Sequence, residues 1–170
     1  MTESYGGIPP RYREGLFSAV SAGFFFLLIG AIFVITPDLF QKTLDFFRNF
    51  DIVRVPNTEI SLVAPTFPRT HQAVYKAVEQ FSYAFGVFQL AILAIRFVAG
   101  SPWGKKAETA SNFVFWIGSG YLIRTLLIET TRWSAMTAWF VFWSGIIMLL
   151  GLSLIVRAII LAAASTRRII

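Results

Sequence analysis

The stretch LFSAVSAGFFFLLIGAIFVI, residues 16–35, runs for 20 positions without a charged side chain. As a helix it would rise about 30 Å, the thickness of a bilayer's hydrocarbon core. Three further apolar stretches follow, Phe81–Val98, Phe113–Ile128 and Ala135–Ile160. Their number and length predict an all-α integral membrane protein, a bundle of four transmembrane helices. Leu16–Ile35 follows Arg11 and Arg13 as a signal peptide would, but it is longer than the apolar region of one. Thr36-Pro37-Asp38 then replaces a small-x-small cleavage site, so the stretch reads as a retained first span.

Composition agrees. The 170-residue chain is 56% hydrophobic and 14% charged, where a soluble domain carries about 25% charge. Its length suits one compact membrane domain with no separate soluble core. There are no cysteines, which excludes disulfides, thiolate metal sites and cysteine nucleophiles. His71 is the only histidine, so a histidine-rich metal site or bis-histidine haem within one chain is excluded as well. No metal and no cofactor are expected.

Punctuation places the segments. The first span covers about 15–36. Residues of about 37–50 set Leu39, Phe40, Leu44 and Phe47 on one helical face and Gln41, Lys42, Asp45 and Arg48 on the other. This reads as an amphipathic helix lying in the membrane interface, the alternative being one packed over the bundle mouth. Thr36 is the expected cap, with Pro37 in the first turn. Pro56, Pro65 and Pro68 make 51–71 an ordered extracytoplasmic loop or short hairpin. The remaining helices are expected at about 72–99, 110–130 and 134–165, the last about 47 Å long and therefore tilted or projecting.

The net charge is +6. The N-terminal segment, the 96–108 turn and the C-terminal end together hold eight Lys or Arg against three acids; the opposite side holds six against six. The positive-inside rule then places both termini in the cytoplasm of a cell-membrane protein, and accounts for the charge without nucleic acid.

Arg124 lies inside the third span, where a charge is costly, so it is expected to face the bundle interior and a partner or to snorkel. On the second helix Glu79, Ser82, Gly86, Gln89, Leu93 and Arg96 recur at alternating spacings of three and four, a single polar or small seam facing inward. Helix rise brings Glu79 to the depth of Arg124. Glu79, Gln89, Tyr121 and Arg124 are the candidate buried polar site, either a functional site or a structural ion pair with polar helix contacts. No catalytic set is present: paired carboxylates, a nucleophile with its base and metal spacing are all missing, so no enzyme is expected. The first functional reading is a non-enzymatic accessory or structural subunit packing in a homo-oligomer or with other membrane subunits, in contact with the lipid bilayer. The alternative is a small oligomeric transporter or channel using the polar stripe of the second helix with Arg124.

Overall fold

The computed structural model describes residues 10–166. Its elements are α1 (Pro10–Ile35), α2 (Leu39–Arg48), β1 (Phe50–Arg54), β2 (Ser61–Pro65), α3 (Gln72–Val98), α4 (Trp103–Leu122) and α5 (Ala135–Thr166). The chain is mostly helical. Three of its helical segments, Glu14–Ile35, Pro68–Val98 and Ala135–Thr166, are long and apolar enough to cross a membrane. α4 is not among them: its first turns carry Lys105, Lys106 and Glu108, and its α-helical part stops at Leu122.

Local chemistry sets each boundary. α1 ends before Pro37. The cap of α2 is Asp38 rather than the expected Thr36: Asp38 takes the left-handed conformation at φ 56°, which Asp tolerates, and its carbonyl accepts the Lys42 amide at 3.0 Å. Thr36 accepts from the Leu39 amide instead, at 3.3 Å, so the helix starts two residues beyond Pro37. α3 closes in a Schellman motif. The Ser101 amide reaches the Arg96 carbonyl at 3.0 Å, the Gly100 amide reaches that of Phe97 at 3.3 Å, and Gly100 supplies φ 67°. The next helix starts at once. The Pro102 carbonyl accepts from Lys105 and Lys106, so α4 begins at Trp103 where sequence alone suggested about 110; the basic pair read as loop is its first turn. Ser134 caps α5, its hydroxyl accepting the Thr137 amide at 3.2 Å.

α4 does not end at Leu122. It widens into a π-helical turn, Ile123–Ile128, closed by the Glu129 amide on the Arg124 carbonyl at 2.9 Å. The loop between α2 and α3 forms an antiparallel hairpin in register Phe50↔Pro65 to Arg54↔Ser61. Two strands alone are marginal in stability. This pair is anchored because Ala64 is fully buried and Phe50 and Val53 pack against a cluster of Tyr75, Ile123, Leu127, Trp139 and Phe142.

α3 is the central helix. It packs along α4, which in turn packs along α5, while α1 and α2 rest on α3. Two kinds of contact make this arrangement. Across α1 and α3, Phe24 stacks on Phe88 with centroids 4.0 Å apart, and Phe25 meets Phe81 edge-on at 5.3 Å. Across α3, α4 and α5, glycines allow close approach. A Cβ at Gly86 would lie 2.6 Å from Ile117 Cδ1, and one at Gly118 2.5 Å from Leu149 Cδ1.

Gly86→Val should therefore destabilise the folded chain in detergent by about 1–3 kcal/mol through overpacking. Gly23→Val, where nothing lies within 4 Å of the added carbon, should leave the melting temperature unchanged or raised. Equal melting temperatures would show that the α3–α4 crossing is looser than described.

Candidate functional site

Among the described residues, two charged clusters link separate helices. The first contains Arg124. Its Nη1 lies 3.9 Å from Glu79 Oε1, and its Nε donates to Glu129 Oε1 at 2.9 Å. Glu79 and Arg124 are thus brought together, but Glu129 is the tighter partner. The π turn explains this. Residues five apart point in different directions on an α-helix; the wider turn, with bonds five residues apart, draws them into line. The Arg124 side chain is 55% exposed and that of Glu79 15% exposed, so the pair opens onto a groove on the protein's outer face instead of the bundle interior. Gln80, Tyr83, Ala84 and Val87 complete that groove. Tyr83 is held against the α4 backbone, its ring occupying the space that a side chain at Gly120 would need.

The other expected members do not join this pair. Gln89 is buried, but ten residues along α3 from Glu79, a rise of about 15 Å. Tyr121 is exposed, and its carbonyl accepts the Thr125 hydroxyl at 2.8 Å. Among the described residues there is no group of three or more His, Asp or Glu placed to hold a metal ion.

The second cluster is the more enclosed. Arg96, at the end of α3, is 6% exposed. Its Nη1 donates to the Lys105 carbonyl at 2.7 Å and to Thr109 Oγ1 at 2.6 Å, and its Nη2 lies 3.3 Å from Glu14 Oε2 on α1. Its guanidinium also stands over the Phe17 ring, 5.7 Å from the centroid. Glu14 Oε2 is buried without a hydrogen bond, so its contact with Arg96 is an ion pair without aligned donor geometry. One turn away, Lys106 Nζ sits 4.7 Å from the centroids of both Phe97 and Trp103. Arg96 thereby ties the start of α1, the end of α3 and the start of α4 into one joint. The inward seam from Glu79 ends at Arg96, and that was the sequence signal for its burial, although Arg96 was not named among the candidate site residues.

No protein-family model matches the chain, and no curated protein or solved structure is significantly similar to it.

Removing one partner of a buried pair commonly costs about 3–5 kcal/mol, because the other charge is stranded. Arg96→Gln should approach this cost in detergent unfolding. Glu14→Gln in the Arg96→Gln background should cost clearly less than it does alone. Additive effects in this double-mutant cycle would mean that the two groups are not coupled. The same cycle on Arg124 and Glu79 should show weaker coupling, because solvent or headgroups reach Arg124 and Glu129 also holds it.

Proposed function

We propose that the chain is a four-pass protein of the cell membrane, with both termini in the cytoplasm and α2 in the interface. In this reading it is a non-enzymatic accessory or structural subunit that packs in a homo-oligomer or a larger membrane complex. Several features support α4 as the remaining span. With its π turn it is one helical rod, Trp103–Ile128, about 39 Å long. It runs antiparallel between α3 and α5, both apolar enough to cross, and packs along each. Its charges lie near its ends, where Lys105 pairs with Glu108 and Arg124 with Glu129.

The observation that carries the packing role is a contrast between glycines. Inside the bundle Gly86, Gly118, Gly120 and Gly145 each have a neighbouring side chain in the space a Cβ would take. On α1, Gly15, Gly23 and Gly30 have nothing within 4 Å, and Gly151 on α5 is equally open. Small residues on membrane helices serve close helix approach, and here they lie on surfaces that no described helix of this chain covers. The charged groups support the same reading, since Arg96 and Arg124 are each engaged by acids of this chain and Gln89 lies well away from the Glu79–Arg124 pair.

The natural absence of cysteine makes a direct test simple. Cysteine introduced singly at Gly23 or Gly30 should cross-link, in native membranes, to a second copy or to another membrane protein. Cysteine at Phe85, buried within the chain's own bundle, should not. Failure to cross-link at Gly15, Gly23, Gly30 and Gly151 alike would contradict the packing role.

A further inference from the structure

The end of α1, the inner face of α2 and the first turns of α3 enclose a cavity of about 330 Å³. Ile32, Leu39, Phe46, Ala77, Val78 and Phe81 form much of its wall. Among the described residues Thr43 is the one polar side chain on it, and its hydroxyl already donates to the Leu39 carbonyl at 2.8 Å. The lining therefore offers no free hydrogen-bonding side chain, and a polar occupant would lose its solvation without compensation. The size lies at the lower end of small-ligand sites, about 300–1,000 Å³.

We propose that this cavity holds one acyl chain of a bilayer phospholipid. The inference rests on the membrane placement proposed above, which puts the α1–α2 elbow at the boundary between headgroups and hydrocarbon. A cavity open at that level is within reach of lipid tails, while its floor of Ile32, Ala77 and Phe81 lies deeper along α1 and α3. Size decides against a protein occupant. A helix with its side chains is about 10–12 Å across and does not fit the volume; the wall is also far smaller than the roughly 1,000 Å² a specific protein interface buries. The charges of α2 give no basis for selection by headgroup. Lys42 and Arg48 on α2 are offset by Asp38 and Asp45, and Arg48 lies 3.7 Å from Asp45 while Lys42 Nζ donates to the Pro37 carbonyl at 2.7 Å. Contact with the tail, not the phosphate, sets retention.

Lipid retained by the full chain in mild detergent, counted by native mass spectrometry, tests the proposal. Ala77→Phe and Val78→Trp each fill the cavity and should abolish one tightly retained phospholipid per chain. Val98→Trp, at the opposite end of α3 and 92% exposed, should not. After delipidation, palmitoyl-oleoyl phosphatidylcholine and palmitoyl-oleoyl phosphatidylglycerol should reload the wild-type chain equally. Unchanged retention in folded, monodisperse variants would overturn the proposal, as would equal loss with Val98→Trp or reloading by only one headgroup. Val78 lines the cavity but is half exposed, so a Trp there meets less of the packed core than a Phe at the buried Ala77, and Val78→Trp decides the matter if Ala77→Phe does not fold. Release of the wild-type chain from membranes by alkaline carbonate would instead overturn the membrane placement itself; an embedded chain with unchanged lipid retention would overturn the cavity assignment alone.

Discussion

Charge closure is the constraint on which the rest of this structure depends. A charge withdrawn from water is costly unless other groups meet it, and Arg96 is 6% exposed, while Arg124, more open, would face the same demand in the membrane placement proposed above. Arg96 answers this by joining three helices: a carbonyl and a hydroxyl from α4, a carboxylate from α1 and an aromatic ring from α1 converge on one guanidinium. The Schellman turn at Gly100 and the start of α4 immediately after Pro102 follow from the same joint, because they bring the Lys105 carbonyl and Thr109 back over Arg96. Arg124 meets the constraint through a widened helical turn that delivers Glu129, with Glu79 of α3 as the more distant second partner.

Away from those joints, packing is a matter of surface shape. α3, α4 and α5 approach closely at glycines, and the hairpin seals one end of the bundle through Ala64. α1 is attached differently. A ladder of Phe24, Phe25, Phe81, Phe85 and Phe88 and the Glu14–Arg96 pair hold it to α3, while its glycines remain open. A helix fixed at one end and along one face, with small residues on another, is well suited to receive a neighbouring helix. The apolar cavity beside its C-terminal end lies where α2 bridges α1 and α3 without filling the space between them.

Much of this organisation could be read from residue patterns. Unbroken apolar runs identified α1, α3 and α5, and the alternation of three and four from Glu79 to Arg96 marked the face of α3 turned toward its neighbours. Depth along the helix brought Glu79 to Arg124. Other features were not legible, for physical reasons. A π turn has no sequence signature in the 3.6-residue period, so Glu129, expected at the end of the 110–130 helix, was not matched to Arg124. The left-handed Asp38 moved a cap from Thr36 by two residues. Lys105 and Lys106 resembled turn residues because nothing in sequence shows that Lys106 lies over two aromatic rings, or that the Lys105 carbonyl serves a buried arginine. Gln89 and Tyr121 share a helix with the ion pair's residues, but azimuth and depth separate them from it, and periodicity alone fixes neither to better than a turn.

The most direct test of the account is the side of the membrane reached by each connection, because α4 is the helix whose crossing composition alone does not establish. Single cysteines at residues 57, 132 and 168 can be treated with an impermeant thiol reagent in intact cells, the chain having no other cysteine. Four crossings with cytoplasmic ends predict labelling at 57 and 132 and protection at 168 until the cells are opened. Labelling at 57 and 168 with protection at 132 would mean that only α1, α3 and α5 cross, and would contradict the account.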